Sequence, residues 1–289
     1  MIVVALSGGL GNQLFQYAAG RSLAISRKTA LFLDIADLDA QMETVTKRAF
    51  ELGVFAIPAE IATEKQIRRL LHPPLLRKLV DKTRPYFRKA TYNEPFFPYD
   101  EHFPGASSQT LLRGYWQSER YFDGVANVLR EDLRIKAPLS QQTKETADRI
   151  GSSRSVSLHV RRGDYVKDAR TLRYHGVCEP EYYQRAIGEI SRRPGDFEVF
   201  VFSDDMDWAK ANIQTTLPMT FVDHPDRQAY EDLYLMSRCK HNIIANSSFS
   251  WWGAWLNPNP DKVVIAPKRW FNESNADTRD LLPGQWIKI

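Results

Sequence analysis

The chain has 289 residues, 43% of them hydrophobic and 12% aromatic, with a formal net charge of +4. That is apolar mass for two modest cores, and the charge is too small to bring in nucleic acid as a partner. Cys178 and Cys239 are the only cysteines, which excludes a disulfide framework and a four-thiolate zinc site; no stretch reaches the roughly 18 apolar residues of a membrane span.

Residues 2–6 form a short apolar run of the buried-strand kind, closed by Ser7-Gly8-Gly9. The run has no basic flank and leads straight into glycines, so it does not read as a signal peptide. From Asn12 onward Leu14, Phe15, Ala18, Ala19, Ser22 and Leu23 recur at helical spacing, and residues 30–33 give a second strand ending in Asp34. Strand, turn, helix, strand is a βαβ opening and implies a parallel sheet. The turn is neither a dinucleotide fingerprint, since Leu14 stands where a small residue is needed, nor a P-loop, since Gly-Lys-Ser/Thr is absent. Two readings stay open: a tight turn with Asn12 as helix N-cap, or a backbone opened by Gly9 and Gly11 for a ligand at the helix end.

Residues 40–150 read as mainly helical. Between Lys65 and Lys89 basic residues cluster (Arg68, Arg69, Arg77, Lys78, Lys82, Arg84, Arg88), interrupted by Pro73, Pro74 and Pro85. This stretch reads first as a solvated helical surface and second as a weak peripheral contact with an anionic membrane face or acceptor carrier. Pro138 and the polar run from Ser140 to Thr143 mark the approach to a domain boundary near residues 140–154, which divides the chain into 1–150 and 151–289.

Past that boundary, strand-like runs at 155–160, 197–202, 219–222, 242–245 and 263–266 alternate with helix-like stretches at 181–192, 205–211, 229–237 and 248–256. This is a doubly wound α/β pattern. Two α/β halves with a cleft between them are expected, and functional residues should follow the strands' carboxyl ends. After the first of these strands, alternation sends His159 and Arg161 one way and Val160 and Arg162 the other. Arg161 then points into the crevice, Gly163 turns the chain, and Asp164 lies close enough to orient an arginine. A guanidinium there suits a diphosphate and the charge developing on it as it leaves. His159 reads as a support and not as a catalyst. Ser203-Asp204-Asp205 reads first as a nucleoside contact, second as a helix cap, third as a metal site. Asn246, Ser247, Ser248 and Phe249 open a tryptophan-rich helix whose N-terminal N–H groups suit a diphosphate, while Trp252 and Trp255 read as packing.

Five blocks in order, SGGLGNQLFQYAAGRSLA from Ser7, GYWQSERYF from Gly114, HVRRGDYV from His159, VFSDD from Val201 and DLYLMSRCKHNIIANSSFSWWGAWL from Asp232, resemble the inverting α-1,2-fucosyltransferases of glycosyltransferase family 11. The resemblance implies two Rossmann-like domains of the GT-B type, with GDP held mainly by the second. It implies transfer of L-fucose from GDP-β-L-fucose to the 2-hydroxyl of a terminal galactose on an oligosaccharide, with inversion and no essential metal or other cofactor. It puts Arg161, Asp164 and Asn12 at the reacting centre. Gly9, Gly11, Gln13, His159, Arg161, Ser203, Asp204, Asn246, Ser247, Ser248 and Phe249 fall on the donor side. Animal members carry a membrane anchor, so a start at the first strand implies a bacterial, cytoplasmic form. Asp164, Glu94 and Glu119 are the carboxylates weighed as general base, and none is singled out. The alternatives are a fucosyltransferase of another linkage and a non-catalytic nucleotide- or glycan-binding protein.

Overall fold

A computed structural model describes residues 1–39, 48–224, 226–272 and 276–289, with the backbone alone for Asp39 and Asp164. Contacts divide the chain into two units, 1–136 with 277–283, and 137–276 with 284–289.

The first unit is built on five parallel strands: β1 (Ile2–Ala5), β2 (Leu31–Asp34), β3 (Glu60–Ile61), β4 (Thr91–Asn93) and β5 (Thr110–Arg113), in the order β3-β2-β1-β5-β4. Its helices are α1 (Leu10–Ser26), α2 (Ala36–Asp39), α3 (Glu64–Leu71), α4 (Leu75–Thr83) and α5 (Ala126–Asp132). The apolar β1 is buried along its whole length, and α1 buries Leu14, Phe15, Ala18, Ala19 and Leu23, the helical spacing visible in the sequence. The N-cap of α1 is Gly9; Asn12 lies inside the helix and does not cap it. The segment read as mainly helical holds three strands. Each is only two to four residues long, too short to show alternation, and β3 is exposed on both residues.

The second unit carries six parallel strands: β6 (Arg154–Val160), β7 (Phe197–Ser203), β8 (Met219–Phe221), β9 (His241–Ile243), β10 (Val264–Ala266) and β11 (Ile287–Lys288). Their order, β11-β10-β9-β6-β7-β8, is the 3-2-1-4-5-6 order of dinucleotide-binding sheets read from the other edge. Between and around them run α6 (Gln141–Ser152), α7 (Gly163–Lys167), α8 (Ala169–His175), α9 (Pro180–Ser191), α10 (Met206–Asn212), α11 (Ala229–Arg238) and α12 (Ser248–Leu256). The polar run at Ser140 begins α6, with the Ser140 hydroxyl accepting from Thr143 N at 3.1 Å, so these residues form a capped helix and not a linker. The core of this unit gathers Val156, Leu158, Val199, Val201 and Ile243 from the sheet with Tyr183, Ala186 and Ile190 from α9. Trp251, Trp252 and Trp255 are buried and mutually packed, as expected for Trp252 and Trp255.

Candidate functional site

In the second unit, strand order reverses between β6 and β9, and crevices at such a point lie beyond the strands' carboxyl ends. Register decides what meets there. Val160 pairs with Ser203, and Leu158 with Ile243. Continued past the strands, this sets Arg161, Asp204 and Asn246 at one level. The Arg161 guanidinium lies 3.0 Å from the Asp204 carboxylate, whose other oxygen accepts from Arg162 N at 2.8 Å. A Cβ at position 163 would come within 2.6 Å of that carboxylate, so Gly163 makes room for Asp204. Arg162 faces elsewhere, 4.1 Å over the Trp208 ring and 3.7 Å from Asp205.

His159 is buried one residue before Arg161, its ring 5.6 Å from that of Phe249, which joins the β6 loop to the start of α12. Burial lowers its pKa to about 3, with the Arg161 and Arg227 charges acting in the same direction and Asp204 opposing, so the imidazole is neutral near pH 7. Among the described residues its Nδ1 has no hydrogen-bond partner. Ser203 accepts from Asp205 N at 2.9 Å, while Asp205 caps α10 through Trp208 N at 3.2 Å. Ser247 caps α12, accepting from Phe249 N at 3.3 Å, and Ser248 and Phe249 remain half-buried. The Asn246 amide is taken up by the structure: it donates to the carbonyls of His175 (2.9 Å), Gly176 (3.3 Å) and Trp270 (3.1 Å). The backbone of Asp164 opens α7; its side chain lies outside the described residues.

Arg227 was not among the sequence-predicted residues. It donates to Ser203 O at 3.2 Å and pairs with Asp232 at 2.7 Å, adding a second guanidinium near His159. The rule that site residues follow strands applies to it, since it comes six residues after β8, but no flanking motif marks it.

In the first unit, order reverses between β1 and β5. Gln13 is fully buried: its Nε2 donates to Gly8 O (2.9 Å) and Ala49 O (2.8 Å), and its Oε1 accepts from Glu51 N (3.0 Å). Gly9 ends the turn, Gly11 is buried in α1, and Asn12 Oδ1 accepts from Gln117 Nε2 at 2.8 Å. The β4–β5 register, Asn93 against Arg113, brings Glu94 level with Gly114. Glu94 accepts from Tyr115 N at 2.7 Å and Trp116 N at 3.0 Å. A Cβ on Gly114, whose φ is +157°, would stand 2.4 Å from the Cβ of Glu94, so only glycine admits the carboxyl there. Burial raises the Glu94 pKa to about 7 against those two bonds, which lower it. Glu119 opens a 3-10 turn after Ser118 and is half-buried.

Among the described residues no three His, Cys, Asp or Glu side chains converge as metal ligands. Asp204 and Asp205 each face an arginine. No helix among them is long and apolar enough to cross a membrane.

The family model of glycosyl transferase family 11 matches residues 77–289. An alpha-1,2-colitosyltransferase of Escherichia coli is 33% identical, covering 100% of this chain and 99% of that one. The O-antigen biosynthesis glycosyltransferase WbnK of Escherichia coli is 32% identical over 98% and 99%. The galactoside alpha-(1,2)-fucosyltransferase 1 of Homo sapiens is 24% identical over 90% of this chain and 66% of that one. Among solved structures, fucosyltransferase NodZ from Bradyrhizobium aligns with a TM-score of 0.51 at 14% identity, over 87% of this chain and 90% of that one. A mutant of Arabidopsis thaliana FUT1 in complex with GDP aligns with a TM-score of 0.53 at 13% identity, over 98% and 75%. The fold is the GT-B kind, with two Rossmann-like units.

Proposed function

Because the chain belongs to glycosyl transferase family 11, we propose that it moves L-fucose from GDP-β-L-fucose to the 2-hydroxyl of a terminal β-galactoside on an oligosaccharide, with inversion and without a metal. The observation that carries this reading is Arg161, held by Asp204 at the switch point of the second sheet, level with the start of α12. The Arg161 guanidinium and the α12 N–H groups supply positive charge where a diphosphate gathers negative charge as it leaves. Arg227 adds to it, so the charge of a divalent ion is not required. Asp204 orients Arg161. A donor hydroxyl or phosphate oxygen gives the buried His159 Nδ1 a partner.

The acceptor oxygen forms its bond to the anomeric carbon while the bond from that carbon to the diphosphate breaks on the opposite face. GDP leaves with the electron pair, and the hydroxyl proton goes to a base. We assign that base to Glu94: the residue is half-buried just past a strand end of the first sheet, its carboxyl is fixed by two backbone bonds, and burial tunes it close to neutral pH.

Incubation with GDP-fucose and lactose, chelator present, is expected to release GDP and to yield a product fucosylated on the galactose 2-hydroxyl, read by NMR. Arg161→Ala should lower kcat by roughly 10²–10³. Turnover of another nucleotide sugar, with none of GDP-fucose on any galactoside, sinks the reading. Full-length similarity to a colitosyltransferase favours one second reading. Colitose is fucose without its 3-hydroxyl, and a donor competition of the two GDP-sugars separates them.

A further inference from the structure

Helix α4 is mounted inside out. Around its axis Leu75, Leu76, Leu79 and Val80 occupy one arc, and Arg77 and Asp81 the opposite side. In an ordinary surface helix the apolar arc packs inward. Here it is the polar side that holds α4 to its unit. Arg77 donates to Gln109 Oε1 at 2.8 Å and to Gln109 O at 2.7 Å, and Asp81 accepts from Ala90 N at 2.9 Å. The leucines point away: Leu75 is 75% exposed, Leu76 77%, Leu79 52% and Val80 40%, and no residue of α4 is buried.

The surroundings of this apolar arc are cationic. Lys78 and Lys82 are exposed along the edge of α4, Arg84 and Arg88 follow it, and Arg68 and Arg69 precede it with Leu71, which is also exposed. The nearby carboxylates face inward or are paired, Asp81 to Ala90 N and Glu64 to Arg68 at 2.6 Å. At nine residues α4 is about 13 Å long, far short of a span. Apolar residues projecting from a basic rim fit the boundary between headgroups and acyl chains of an anionic bilayer. A second copy fits worse, since pairing two such faces sets lysine against lysine.

We propose that α4 is an interfacial membrane helix, which inserts Leu75, Leu76, Leu79 and Val80 among the lipids of an anionic leaflet while Lys78, Lys82, Arg84 and Arg88 hold the headgroups. The docking surface lies in the first unit.

The test is co-sedimentation of the full chain with phosphatidylcholine vesicles, with and without phosphatidylglycerol. Wild-type protein is expected to pellet with the anionic vesicles and to be released by salt. Replacing Leu75, Leu76 and Leu79 together by Gln should lower the partition coefficient at least roughly tenfold. Lys78→Gln with Lys82→Gln should weaken binding to anionic vesicles about fivefold per charge and leave neutral vesicles unaffected. Each variant keeps its melting temperature, because the replaced side chains touch no core. Equal partition of wild type and the leucine variant overturns the proposal. So does a wild-type dimer in light scattering that the leucine variant abolishes while vesicles stay unbound; that result assigns the face to a second copy.

Discussion

Glu94 shows how far neighbours can move one carboxyl. Two backbone N–H groups hold it, yet burial outweighs them and its proton is kept to about pH 7. A base must be unprotonated, so kcat/KM is expected to fall as pH drops through about 7 and to level off above it. Glu94→Gln keeps the shape and should remove that limb with most of kcat, while GDP-induced thermal stabilisation stays as in wild type. An unchanged pH profile in an active Glu94→Gln enzyme counts against Glu94 as the base. His159 contributes no such limb, because burial leaves it neutral throughout. Of these groups, strand alternation in the sequence singled out Arg161, whose side is fixed by a seven-residue strand. The partner of Arg161 was another matter. Asp204 is distant in sequence and becomes its neighbour only through the β6–β7 register, and Arg227 reaches Ser203 from a turn with no motif.

Elements were legible where they are long and buried. Five of the six strands of the second sheet, and α9 to α12 between them, stand where periodicity put them, because parallel strands covered on both faces are continuous apolar runs. β11, at two residues, left no signal, and β3, β4 and β5 were hidden in a segment of short, partly exposed strands. The entrance to α12 shows a role that composition does not reveal. Asn246 binds three carbonyls from two other segments and so fixes the loop that presents Ser248 and Phe249. Asn246→Ala removes the amide donor from those carbonyls and is expected to cost roughly 2–4 kcal/mol. A scan should show Tm lowered by several degrees with no GDP added. A variant as stable as wild type, yet weak for GDP, would instead make Asn246 a direct donor contact.

At the scale of the molecule, two sheets of similar build arise from unlike amounts of sequence signal. The second repeats strand and helix at regular intervals. The first spreads its five strands over 112 residues, from Ile2 to Arg113, with long connections between them. Neither unit is a continuous piece of chain, since residues 277–283 return to the first and 284–289 to the second. The return is anchored: Asp280 accepts from Tyr99 N at 3.1 Å and pairs with Arg120 at 3.2 Å, while β11 extends the second sheet beside β10. A chain ending at residue 276 is therefore expected to lose stability in both units, seen as earlier proteolysis of each. Proteolysis confined to one unit would show that the return matters to that unit alone.

The same return sets a clock on synthesis. Residues 277–283 leave the ribosome after residues 137–276, so the first unit, though its other residues are translated earlier, waits through most of the second unit for Asp280. Folding of the halves cannot run strictly one after the other as the chain emerges. Completion of both waits on the same short stretch, residues 277–289.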